Sequence, residues 1–182
     1  MLSPRNVALA LLAMPFVAAL PSASSDVSGA ADGLFSFESW AGALARGKPT
    51  LSVEEAIAAA GHLQDPSTVE RSLEKRLRCN HLSKPPAWGP DAVECINYLA
   101  RSGLTCRVET VVSMCIIGGA QIFASKVNTR QAYTESSCEH VARAAGAIMD
   151  SCYRSDDTVQ GDHYAYGNGD MVVTLTSPQS LP

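Results

Sequence analysis

The chain has 182 residues, with 14 Lys and Arg against 18 Asp and Glu, a formal net charge of −4, and 6% aromatic residues. An acidic chain of which only 18% is charged lacks the basic surface that a phosphate backbone requires. So few aromatics do not build a base-stacking platform either, and no nucleic-acid partner is expected.

Residues 1–19 read as a secretory signal peptide. Arg5 supplies the positive start, Val7 to Leu20 is apolar and Ala-rich, and Val17-Ala18-Ala19 places small residues where signal peptidase reads, with Ala23 as a second site. The apolar run, about 14 residues, falls short of the roughly 20 that span a bilayer, and no later segment is apolar enough, so stable membrane insertion is not expected. Residues 20–49 are rich in Ser, Ala and Gly around an isolated "LFSFESW" (Leu34 to Trp40) and read as a flexible spacer. Two short helices follow: Ser52 with Glu55, and Ser67 with Glu70, both have capping-box spacing. Residues 20–76 as a whole are expected to be a flexible spacer or propeptide. They end at the dibasic pair Lys75-Arg76, just ahead of the first cysteine, Cys79.

Beyond that pair the composition changes. "NHLSKPPAWGP" is a loop broken by Pro85 and Pro86. Pro90 opens a helix through "DAVECINYLARSG", with Ala92, Cys95 or Ile96, and Leu99 on one face and Gly103 as its stop. "CRVETVVSMCII" alternates Val108, Thr110, Val112, Met114 and Ile116 as a strand does, but it is long enough to require a break or bulge. Gly118-Gly119 turns it into the returning strand "AQIFASKV". In "TESSCEHVARAAGAIMDSC", Cys138, Val141, Ala145, Ile148 and Cys152 step by 3 and 4, so both cysteines lie on the buried stripe of a helix that Thr134, Ser136 or Ser137 can cap. Asn168-Gly169 predicts a type I′ hairpin into the strand "MVVTLT". The elements make an α+β domain over residues 77–182, a small antiparallel sheet with two helices packed on one face.

The six cysteines are Cys79, Cys95, Cys106, Cys115, Cys138 and Cys152, all within this domain. Behind a secretory signal they sit in an oxidising compartment, which predicts three disulfides, and spacing alone does not choose among the 15 pairings. Zinc would want closer pairs than the nine-residue step from Cys106 to Cys115, so no metal is expected. Nor is a cofactor, because Gly118-Gly119 is too bare for a phosphate loop.

"MCIIGGAQIFASKV", "SSCEHVARAAGAIMDSC" and "AYGNGDMVVTLT" together resemble the killer-protein-four toxins of fungi, which are small secreted disulfide-bonded proteins. The frame falls on Cys115, Gly118, Ile122, Cys138, His140, Ile148, Cys152, Gly167 and Val173, across roughly residues 79 to 176. A looser likeness links the chain to the extracellular-protein-two effectors of fungi. The resemblance implies an α/β sandwich and a secreted, non-enzymatic factor acting on competitor or host cells. Its partner would be a membrane protein or cell-surface component of the target. The resemblance also implies the pairs Cys79–Cys152 and Cys95–Cys138. That leaves Cys106 to Cys115, a bond that requires the chain between them to loop back, since a continuous strand would hold them about 30 Å apart. Where the toxin carries basic residues between these two cysteines, this chain has "RVETVVSM", with one Arg and no Lys. Lys75-Arg76, with Leu73 upstream, resembles the dibasic sites cut by kexin-type proteases of the fungal secretory route.

Two other classes compete. A secreted ribonuclease-like hydrolase could use His81, Glu109, Arg130, His140 and His163, with His and Glu as acid and base and Arg on the phosphate. No two of these share a local motif. His140 reads as a solvated helix residue and His163 as an outward strand residue. A passive cell-wall or carbohydrate binder could present Trp88 and Tyr98.

Overall fold

The computed structural model describes residues 35–61 and 77–178. The expected signal peptide, the second capping box and Lys75-Arg76 lie outside the described residues. Before the dibasic pair come α1 (Phe37–Ala45) and α2 (Val53–Gly61). After it come β1 (Arg78–Cys79), β2 (Ala87–Trp88), α3 (Gly89–Arg101), β3 (Thr105–Val108), β4 (Val111–Ile117), β5 (Ala120–Lys126) and β6 (Thr134–Ser137). The chain continues through α4 (Cys138–Cys152), β7 (Thr158–Val159), β8 (Gly161–Tyr164) and β9 (Met171–Thr176). A five-stranded sheet in the order β1-β8-β9-β5-β4 is antiparallel throughout. Two short ribbons, β2–β7 and β3–β6, complete an α+β architecture.

The alternation of β5 and β9 decides where the helices sit. Ile122 pairs with Leu175 and Ala124 with Val173, all four are buried, and opposed residues of paired strands share a face. That face carries α3 over β4 and β5, and α4 over β8 and β9. The other face is partly wrapped by the proline loop: Thr176 Oγ1 donates to Pro85 O at 2.8 Å, and the Gln160 side chain donates to Lys84 O.

The long apolar run breaks at Glu109-Thr110, because its two halves serve different sheets: β3 pairs with β6, and β4 with β5. A register shift between Ser113 and Cys115 adds the expected bulge. Gly118 takes φ +47° in the hairpin turn, and Gly119 N–H donates to the Asp91 carboxylate in the first turn of α3 at 2.6 Å. The turn thereby ties the hairpin to the helix above it.

Three expectations differ from the structure. Asn168-Gly169 does not form a two-residue hairpin. Six residues, Ala165 to Asp170, separate β8 from β9, and the positive φ falls on Gly167. Asn168 is committed elsewhere: its Nδ2 donates to Thr134 Oγ1 and Glu135 O, both at 2.9 Å. It therefore anchors the loop to β6.

The disulfides are Cys79–Cys152, Cys95–Cys115 and Cys106–Cys138, with Cα separations of 5.4, 5.7 and 5.0 Å. The first is the pair the resemblance implied, and the other two exchange partners. Cys95 sits on the buried face of α3, which packs on β4 beside Cys115. Cys106 lies opposite Ser136 in the β3–β6 ribbon, two residues before Cys138 opens α4.

The third difference concerns the spacer. Within residues 20–49, read as flexible chain, α1 forms, and with α2, the helix expected from the Ser52–Glu55 box, it docks on the cysteine-rich domain. The Ser52–Glu55 box forms reciprocally, with Ser52 N–H on Glu55 Oε2 at 2.8 Å and Glu55 N–H on Ser52 Oγ at 3.2 Å. Ahead of it, α1 buries Phe37, Trp40, Ala41 and Leu44 in the same core as α3, α4 and the sheet.

Candidate functional site

Strand β8 carries polar chemistry on both sides of the sheet, since successive residues point to opposite faces. Asp162 lies opposite Arg78 in the β1–β8 ladder, with its side chain only 5% exposed. It receives both Arg78 Nε at 3.0 Å and a terminal guanidinium nitrogen at 2.6 Å. His81 Nε2 approaches the same carboxylate at 2.9 Å. A buried carboxylate met by a forked guanidinium is a strong, oriented pair, and here it holds the first strand after the dibasic site against β8.

His163, on the helix-covered side, opposes Val173 and is buried, not outward as its position in the sequence suggests. Its Nδ1 lies 2.7 Å from Tyr164 O. A carbonyl only accepts, so Nδ1 carries the proton. The ring lies 5.8 Å from that of Tyr166, and the Arg143 guanidinium stacks on the other aromatic at 4.2 Å. Arg143 also donates to Glu38 Oε1 of α1 at 3.1 Å.

These groups border a cleft of about 290 Å³ lined by Glu38, Leu77, Ala147, Asp150, Ser151, His163 and Tyr166. The cleft lies where α1 meets the C-terminal half of α4. Asp150 closes its helical end by accepting from Ser36 Oγ at 2.8 Å, Phe37 N–H at 2.7 Å and Glu38 N–H at 3.1 Å. Phe37 and Glu38 N–H are unpaired donors of the first turn, and Ser36 Oγ, which accepts from Ser39 N–H, is the N-cap, so a side chain from α4 completes the capping of α1. Burial pushes the Asp150 carboxyl up to about 6, against the pull of the three hydrogen bonds. The residue as a whole stays exposed, while Oδ1 is turned under α1 to meet Phe37 N–H.

The remaining ribonuclease-type candidates sit on separate elements. Glu109 is exposed at the corner between β3 and β4, 3.5 Å from Arg107. Arg130 lies in the β5–β6 loop, its N–H on Asn128 Oδ1 at 3.0 Å. His140 is half-buried in the first turn of α4, with Nδ1 3.5 Å from Ser136 Oγ. His81 and His163 occupy opposite faces of the sheet. Among the described residues no group of three His, Cys, Asp or Glu is arranged to hold a metal ion. Trp88 and Tyr98 are both exposed but sit on separate elements, Trp88 at the end of β2 and Tyr98 in the C-terminal half of α3.

Two features escaped the sequence reading. Glu38, Arg143, Asp150 and Tyr166 meet only because α1 docks, which no local motif announces. The second is an exposed apolar strip. β4 is an edge of the five-stranded sheet, and its sequence "VVSMCII" has no charge. Val111, Val112 and Ile116 are exposed along it, as are Val127 and Tyr133 in the β5–β6 loop and Leu104 ahead of β3. Among the described residues no helix is long and apolar enough to cross a membrane.

No curated protein and no solved structure matches the chain. Residues 74–177, more than half of it, match the family described as a domain of unknown function (DUF8794), and the chain belongs to that family.

Proposed function

We propose that the protein is a secreted, non-enzymatic factor of toxin or effector type, acting outside the cell that makes it on competitor or host cells. Three disulfides in one small domain support an oxidising destination, since a cytosolic pool would keep such thiols reduced. The observation that carries the reading is the β4 edge. The resemblance to killer toxins places a basic contact stretch between Cys106 and Cys115. That stretch here is the β3–β4 corner and the edge strand, and it exposes Val111 and Val112 with Arg107 as its single cation.

An uncharged edge strand is a ready template for another chain, and folded proteins normally blunt such edges. This reading gives the edge a use: an apolar contact with a membrane protein or cell-surface component of the target cell. Val111 and Val112 point to opposite faces, as their partners Ser125 and Ala124 do, so the proposed contact is with the strand edge itself.

The test is direct. Purified protein applied to fungal and plant cells is expected to inhibit growth or alter host responses, and Val111→Asp with Val112→Asp is expected to abolish the effect without loss of fold. Inactivity on both cell types would remove the reading. RNA hydrolysis lost in His81→Ala or His163→Ala would replace it with an enzymatic one, and specific retention on a polysaccharide would replace it with a wall-binding one.

A further inference from the structure

The dibasic pair separates α2 from β1, and all six cysteines lie after it. A cut there leaves no disulfide between the two parts. The family match starts at residue 74, so α1 and α2 stand outside it. On sequence grounds they read as a leader to be discarded.

The packing argues otherwise. Phe37 and Trp40 are each 2% exposed, and with Ala41 and Leu44 they belong to the one core cluster. Ala56 and Ala60 of α2 join the same cluster. The seat is shaped for its occupant. At Gly146 of α4 an added Cβ would lie 2.7 Å from the backbone of Phe37 and Glu38, so only glycine lets α1 approach this closely. The Asp150 carboxylate caps α1 at three donors. Arg143 binds Glu38, and Trp40 Nε1–H donates to Leu51 O at 3.0 Å, fixing the link between α1 and α2. A peptide that merely trails through the secretory route needs none of this.

The cut itself changes the charge at the junction. Hydrolysis of the Arg76–Leu77 peptide bond by a dibasic-specific endoprotease consumes one water. It leaves a carboxylate on Arg76 and an α-ammonium on Leu77. Leu77 lines the same cleft as Glu38 of α1 and Asp150 of α4. The new cation is therefore created at the cleft that Glu38 and Asp150 also line, one from each side of the junction.

We propose that cleavage after Arg76 yields a two-chain protein, in which the segment bearing α1 and α2 remains as a non-covalent subunit seated on α3 and α4. This does not depend on what the protein does to other cells. It fails on the composition of the particle, whereas the toxin reading fails on activity.

The experiment takes the full chain without its signal peptide and treats it with a kexin-type protease. Two chains parted at Arg76 are expected under denaturing conditions, and one particle holding both is expected by native mass spectrometry and gel filtration, with a Kd of about 1 µM or tighter. A Lys75→Ala, Arg76→Ala variant is expected to stay a single chain of the same native size. Separate elution of the small chain, or no cut after Arg76, overturns the proposal. In cut Gly146→Val the small chain is expected to be held at least tenfold more weakly, and equal retention overturns the assigned seat.

Discussion

At the scale of single residues, Asp150 links chemistry to attachment. Its carboxyl sits at about 6 in the folded protein against an ordinary 3.8. Between those values the folded form keeps a proton that the unfolded form releases. The stability this supplies is fully present below about pH 4 and is lost as pH rises through about 6. Hydrogen exchange in α1 is therefore expected to quicken from pH 4 to 7, after correction for the intrinsic rate. Glu38 and His163 also line the cleft, and Arg143 is bonded to Glu38, so the isolating comparison is Asp150→Asn, which keeps an acceptor and should flatten the profile. A wild-type α1 that tightens with rising pH would show that the anion is the preferred cap. Asp150→Ala removes the acceptor of Phe37 and Glu38 N–H while Ser36 still caps Ser39 N–H, and is expected to cost about 1 kcal/mol, the usual scale of a lost helix cap, read from denaturant midpoints.

Among elements, what could be read ahead of the structure followed from periodicity and what could not followed from tertiary placement. The 3-and-4 spacing of α4 put both of its cysteines inward, and they are buried. The capping box found α2 to the residue. The stripe of α1 was also present, as Phe37, Trp40, Ala41 and Leu44, but it spans only nine residues inside Ser, Ala and Gly, and composition outweighed it. Disulfide partners are a different matter. Nothing local tells Cys95 whether the helix or the strand beside it will supply its sulfur, and the structure supplies the strand. The pairing has a measurable order. Cys79–Cys152 closes 73 residues and Cys95–Cys115 closes 20. Chain entropy then assigns them about 4 and about 3 kcal/mol. Replacing the first pair with alanines is expected to lower the unfolding midpoint more than replacing the second. Peptide mapping without reduction should recover Cys95 joined to Cys115, and a Cys95–Cys138 peptide would refute the arrangement.

Over the whole molecule, the decisive question is whether the cysteine-rich domain is complete without the helices ahead of it. The three disulfides all lie within residues 79–152, and the sheet draws every strand from the same side of the dibasic pair. Those features argue for independent folding. Against them stand Phe37, Trp40 and Leu44, whose burial is worth roughly 1.5–3 kcal/mol each before the cost of ordering their own segment. The two arguments act on different properties. Staples restrict the unfolded chain and fix connectivity, whereas the missing helices would leave a bare seat over α4 at Gly146. A chain beginning at Leu77 is accordingly expected to form the same three disulfides. Its mass should rise by six hydrogens on reduction, yet it should bind a hydrophobic dye and melt below the chain that includes α1 and α2. Adding a synthetic peptide of residues 35–61 should quench the dye signal and restore the melting temperature. Equal melting temperatures with no dye binding would mean that the helices contribute nothing to the fold they are packed into.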